Sequence, residues 1–223
     1  MKKIKGFLAG HPIILNVFSL IYGFVLRNRR KIKGYGNSVT CRGAFLKRSK
    51  IEIDGDNNKV FIEPMVRFNG LHIMIKGDHN IVRISRECVG NDVEIWIEDN
   101  CNAVEIGANT WFTGKIHMAV TEGTKLRIGE RCLFAEDVII RTGDSHSIFG
   151  ENGKRINHAR NISIGNHVWI GNRTFLLKGT EIGDDSVVGT GAIVTKSFKK
   201  EVILAGVPAQ IVKENVNWDS ERV

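Results

Sequence analysis

Ile162-SIGNHVWIGNRTFLLKGTEIGDDSVVGTGAIVTKS-Phe198 decides the fold of this 223-residue chain. Within it Ile164, Ile170, Leu176, Ile182, Val188 and Val194 recur at every sixth position, and Gly165, Gly171, Gly183 and Gly189 follow four of them. Four residues after each hydrophobe stand Val168, Thr174, Thr180, Ser186, Ala192 and Phe198, mostly small. Upstream, Ile128, Phe134 and Ile140 keep the same phase. A period of six excludes a helical stripe of period 3.6. It predicts short strands that cannot bury an apolar side alone and must stack as successive coils.

Further upstream the period becomes 22. Ile51-Glu-Ile-Asp-Gly-Asp-Asn-Asn-Lys-Val-Phe-Ile62 is echoed by Ile73–Ile84 and Ile95–Ile106, and Leu126-Arg-Ile128 closes a fourth copy. Each copy reads as an alternating strand, a Gly/Asp/Asn turn and another strand. Residues such as Gly and Asn take positive φ at little cost and let the chain corner sharply. Three six-residue sides make a triangular coil, and four added turn residues bring it to 22.

The rhythm breaks once, at Arg141-TGDSHSIF-Gly150 and the polar text that follows. Ile140 to Ile164 nevertheless spans four hexads, so the phase survives. The expected organisation is a basic, apolar, helical segment over residues 1–33, coils of the 22-residue repeat over 34–127, and a hexad solenoid over 128–213. The last has an extruded loop at 146–163 and is followed by a tail at 214–223.

Composition narrows the function. The net charge is +8, yet residues 1–50 hold twelve Lys or Arg and no acid. The rest of the chain therefore carries 32 − 12 = 20 basic against 24 acidic residues. The basic character is local, so a nucleic-acid partner is not expected. Cys41, Cys88, Cys101 and Cys132 form no C-x-x-C pair and are expected to be reduced thiols, with Cys101 and Cys132 as small buried hydrophobes. Phe7–Leu26 is the one long apolar stretch. Pro12 suits a helix start, predicting a helix over 12–30 with Ile14, Phe18, Ile21 and Val25 along one stripe. Such a helix would pack on the oligomer or lie on an anionic membrane face rather than span the bilayer or act as a secretory signal, which places the protein in the cytoplasm.

The Ile162–Phe198 run followed by AGVPAQIVK resembles the hexapeptide-repeat acyltransferases. D-x-H before a loop and VWIG after it resemble most the polysaccharide and galactoside O-acetyltransferase branch. The resemblance implies a left-handed parallel β-helix and a homotrimer with active sites between subunits. It also implies acetyl-CoA as co-substrate, a glycan acceptor and no metal.

The same resemblance implies roles for single residues. His146 would be the general base that deprotonates the acceptor hydroxyl, a task that suits an imidazole at neutral pH. Asp144 would orient that imidazole, contact the sugar or cap a turn. Trp169 would flank the pantetheine arm and thioester. Asn172, Thr190, Gly191, Ala192, Thr195, Lys196, Gly206 and Ala209 match the cofactor surface, and Lys213 is placed to meet a phosphate. Where the family often has a basic residue after Pro-Ala, this chain has Gln210. Arg141 would reach an acidic acceptor or be solvated. Asn157, His158 and Arg160 lie in a loop implied to close over the acceptor or an adjacent subunit, whereas His167 reads as a surface residue. Acceptors other than a surface or capsular polysaccharide would be a sugar nucleotide, a small sugar or another small molecule, acetylated on oxygen or nitrogen. A non-catalytic β-helix scaffold is the alternative of another class. A γ-class carbonic anhydrase is not expected, because no two of the seven histidines have the five-residue spacing its zinc site needs.

Overall fold

The structure, a computed structural model, describes residues 10–221. Among these residues the chain forms a left-handed parallel β-helix of about eight turns with one α-helix, Pro12–Val25, at its N-terminal end. Its strands form two sheets of 13 and 8 strands. All neighbours run parallel except Val202–Gly206 and Ala209–Glu214, which close the C-terminal end as an antiparallel pair.

Local sequence produces this architecture. The ten-residue strands Arg67–Lys76, Val89–Glu98 and Trp111–Val120 each turn a corner midway, at Gly70, Asp92 and Lys115, all with positive φ. The column continues through Asp137, Arg173 and Gly191. A second column of positive φ runs through Met65, Glu87, Asn109, Arg131, His167 and Asp185.

The hexad positions form the interior. Ile62, Ile84, Ile106, Ile128, Ile164 and Ile182 stack in register on six successive coils, each at most 3% exposed. The small positions Val168, Thr174, Thr180, Ser186 and Ala192 are all fully buried beside them. Phe112 lies between Phe68 and Phe134, with ring centroids at 6.1 and 4.9 Å.

Asn58, Asn80 and Asn102, one per 22-residue coil, form a buried polar ladder. Asn80 and Asn102 each donate their backbone N–H to the side-chain oxygen of the asparagine one coil before, at 2.9 Å. The Asn80 and Asn102 amides donate to the Asp99 and Glu98 carbonyls at 2.9 and 2.8 Å. Corner peptide groups that would otherwise be unmet inside the stack are satisfied this way.

Several expectations need correction. The helix covers Pro12–Val25 only, and Arg29–Lys33 is an exposed edge strand paired with Lys50–Asp54. Within the chain the helix packs through Leu15 and Ser19, while Ile14, Phe18, Ile21 and Val25 are exposed. Ser19 Oγ accepts from the Gly43 N–H and donates to the Asn16 carbonyl, so this polar residue docks the helix. Phe18 and Tyr22 add edge contacts to Phe45. Cys101 is exposed at a positive-φ corner, at the repeat position of Asn57 and His79, while Cys88 and Cys132 are buried. The irregular segment joins the strands Leu133–Arg141 and Ile162–Ile164, so Ile162 and Ser163, expected in the loop, belong to the stack. Lys2, Lys3, Lys5 and Phe7, with the last two residues of the tail, lie outside the described residues.

Candidate active site

His146 lies on the loop that leaves the coil after Arg141, exposed and lining a cavity of about 630 Å³. The cavity also borders Arg141, Asp144, Ser145, His117 and Trp96. Arg141 Nη2 donates to Ser145 Oγ at 2.9 Å.

Asn157, only 6% exposed, holds the loop together. Its Nδ2 donates to Asp144 Oδ2 and to the His146 carbonyl, both at 2.8 Å. Its Oδ1 accepts from the Ile148 N–H at 2.7 Å and from Arg155 Nε at 3.2 Å. All its polar side-chain atoms are thereby used, so the acceptor contact expected of Asn157 is replaced by a clamp on the segment carrying His146. Lys178, from a later coil, donates to Asp144 Oδ2 at 2.5 Å and to the Asn157 carbonyl at 3.0 Å. The Lys178 ammonium, with the Asn157 amide, holds the Asp144 carboxyl below the usual carboxylate range. Asp144 makes these two contacts and no hydrogen bond to the His146 ring among the described residues.

A second clamp sits across the loop. Glu122 pairs with the Arg155 guanidinium and accepts from the Ala159 N–H at 3.1 Å. The guanidinium lowers the Glu122 pKa. Because both carboxyls are depressed, the clamps hold above the unfolded carboxylate pKa and are lost only as pH falls through the lowered folded values.

Trp169 lies elsewhere. It begins a two-residue strand paired with Leu133, whereas Arg141 is eight residues along that neighbouring strand and past the corner at Asp137. Trp169 is 41% exposed, and Trp218 from the C-terminal tail tilts against it at 5.9 Å. Trp218 also stacks on His167 at 4.3 Å and donates Nε1–H to the His167 carbonyl at 2.8 Å. His167 Nδ1 lies 2.8 Å from Asp185 Oδ1. His167 is therefore a partly covered corner residue rather than a free surface histidine. Beside this aromatic group, Trp111, Arg131 and Trp218 line a second concavity of about 390 Å³.

The remaining residues divide by side. Thr190, Gly191, Thr195, Lys196, Gly206 and Lys213 are exposed, and a Cβ built at Gly191 would meet nothing within 4 Å. Lys196 Nζ donates to Gln210 Oε1 at 3.1 Å. Asn172 is exposed and accepts from the Glu136 N–H at 3.2 Å. Ala192 and Ala209, by contrast, are 0% and 1% exposed and part of the core. Their side chains are correspondingly corrected from cofactor contacts to packing. His158 is exposed, and Arg160 turns back to the coil to donate to the Lys178 carbonyl. Burial raises the thiols of Cys88 to about 12 and Cys132 to about 11, which keeps both protonated and inert. Among the described residues, no group of three His, Cys, Asp or Glu side chains could hold a metal ion.

Comparison with known proteins agrees with the coiled fold. Residues 161–196 match the model of the bacterial transferase hexapeptide family (six repeats). A polysialic acid O-acetyltransferase of Neisseria meningitidis is 33% identical over 189 residues, covering 83% of this chain and 87% of the relative. The crystal structure of the polySia-specific acetyltransferase NeuO is 32% identical with a TM-score of 0.77, covering 87% and 89% of the two chains. That of the polysialic acid O-acetyltransferase OatWY is 29% identical with a TM-score of 0.80, covering 88% and 93%.

Proposed function

This chain belongs to the hexapeptide-repeat acyltransferases and is an O-acetyltransferase, and from that premise we propose that it carries an acetyl group from acetyl-CoA to a hydroxyl of a surface or capsular polysaccharide or its precursor. The observation that carries the reading is His146, an exposed imidazole on a loop clamped by Asn157, beside a cavity large enough for a sugar. The imidazole takes the hydroxyl proton as the sugar oxygen attacks the thioester carbonyl. It then returns the proton to the departing thiolate. Asp144, Lys178 and Asn157 fix the loop, which lowers the cost of ordering the base during the reaction.

His146 and Trp169 stand at different corners of one chain. That separation supports a homotrimer in which the Trp169 side of one subunit faces the His146 side of the next, with cyclic symmetry making the pairing equivalent at all three interfaces. Thr190, Gly191, Thr195 and Lys196 offer an open surface for the pantetheine arm, and the exposed ammonium groups of Lys196 and Lys213 suit its phosphates. The reading is tested by incubating the protein with acetyl-CoA and a panel of capsular polysaccharides. The expected result is free-thiol release, a polymer heavier by acetyl groups, and an enzyme sedimenting at three chain masses. Thiol release that is no faster with any glycan than with water would overturn the assignment.

Peripheral attachment to an anionic membrane is supported by the outward row Ile13, Val17, Leu20 and Phe24, between 53% and 90% exposed, next to the basic strand Arg29–Lys33. No helix among the described residues is long and apolar enough to cross a membrane. The full chain is expected to co-sediment with phosphatidylglycerol vesicles and to lose that association in Phe24→Glu. Equal sedimentation of the two proteins would remove the membrane from the account.

A further inference from the structure

The cavity beside His146 is not confined to the coil that carries the loop. Trp96, Ala119 and Arg141 occupy one column on three adjacent strands. All three line the cavity, so it runs about 10 Å along the stack at the usual strand spacing. That length exceeds what a single reacting sugar hydroxyl requires. Its far end has an aromatic floor, since Trp96 is half-buried and faces the same space.

The charge of this surface is unexpected beside relatives named for a polyanion. Five carboxylates line the cavity, against two guanidinium groups. Arg155 is taken by Glu122, and Asp144 is matched by Lys178. Glu94 accepts from or pairs with His72 and His117, at 3.2 and 2.8 Å. What remains toward the open space is Glu98, which has no ion-pair partner among the described residues, and Asp99, which accepts from Thr121 Oγ1 at 2.7 Å. Among the described residues that line the cavity, Arg141 is the guanidinium left to oppose them. Lys76, whose ammonium lies 5.3 Å from the Trp96 ring centroid, is outside the cavity lining.

We propose that the acceptor of this enzyme is an extended, uncharged glycan rather than a polyanion, bound along the coil face with one sugar ring on Trp96 and its hydroxyls donating to Glu98 and Asp99. The proposal rests on the reading of the cavity as the acceptor site. A neutral pyranose offers what this surface lacks: hydroxyl donors for carboxylate oxygens and an apolar C–H face for the indole. A polymer with a carboxylate on every unit would set like charges against Glu98 and Asp99, with a single guanidinium to offset them.

The test compares wild type, Glu98→Lys and Trp96→Ala with acetyl-CoA and matched polymers, dextran or galactan against polysialic acid. Wild type is expected to show kcat/KM at least about tenfold higher for a neutral polymer. Added salt should raise its rate on polysialic acid by screening the repulsion, without changing the neutral rate. Glu98→Lys should narrow the preference about tenfold, and Trp96→Ala should raise KM for the neutral polymer more than it changes kcat. Preference for polysialic acid in the wild type, or salt dependence of the opposite sign, overturns the proposal and leaves the acetyltransferase reading standing. Absence of transfer to every glycan overturns that reading and the proposal with it.

Discussion

His146→Ala stops acetyl transfer and leaves the fold as it is: kcat is expected to fall about 10²–10⁴-fold, the usual worth of a positioned general base, with thermal stability unchanged. The separation of the two effects follows from position. The imidazole is exposed on an extruded loop, and the loop is held through the His146 backbone carbonyl rather than its ring. Truncation therefore removes no packing and breaks none of the clamps. His146→Gln, which keeps hydrogen-bonding capacity but no basicity near neutral pH, should lose as much as alanine. Free-thiol release from acetyl-CoA with a saturating glycan, alongside a melting curve, measures both. Undiminished turnover in either variant would remove His146 from the mechanism.

Phe112→Ala should have the largest effect on stability. The ring is 2% exposed and closes a column with Phe68 and Phe134 in the middle of the stack. Removing it opens a void walled by rigid coils above and below, which have no freedom to collapse inward while their backbone ladders hold. The cost is about 3–5 kcal/mol, which for a chain of this size lowers the melting temperature by roughly 6–20 °C. In a solenoid each coil is supported by its neighbours alone, so the loss falls on both halves at once. Calorimetry of the two proteins decides it. A difference under about 1 kcal/mol would show that the surrounding side chains refill the space.

The interior of this protein was legible because each coil repeats one short instruction. Ile164, Ile170 and Leu176 say locally which way each side faces, and stacking does the rest. The surface obeys no such repeat. Arg29–Lys33 reads as the continuation of a basic helix because an exposed edge strand has no apolar alternation to declare itself. Cys101 directly precedes the buried Asn102, Ala103 and Val104, yet it is exposed at the corner of its coil. The site was legible as a place, at the broken hexad around His146, but not as an assembly. Lys178 reaches Asp144 across 34 residues, and Trp218 reaches His167 across 51. Contacts of that span depend on how many residues each coil consumes and where the loop folds back. Asn157 looked like a polar loop residue free to meet a sugar. Its burial follows from the hairpin-like closure of the loop, marked by the Phe149–Arg155 bridge.

The two ends of the stack differ, and the difference governs how copies of the chain can meet. A parallel solenoid ends in open rows of peptide groups, and identical open ends could join head to tail without limit into a filament. Here the larger sheet begins with Arg29–Lys33, with four cations in five residues, so this edge repels the same edge of another copy. The last row is Ala209–Glu214, which runs opposite to every strand before it and offers a partner the wrong direction for continuing the helix. In this larger sheet, charge opposes head-to-head pairing and the reversed last strand opposes head-to-tail pairing. The homotrimer proposed above, with copies side by side around an axis, would use neither of these edges.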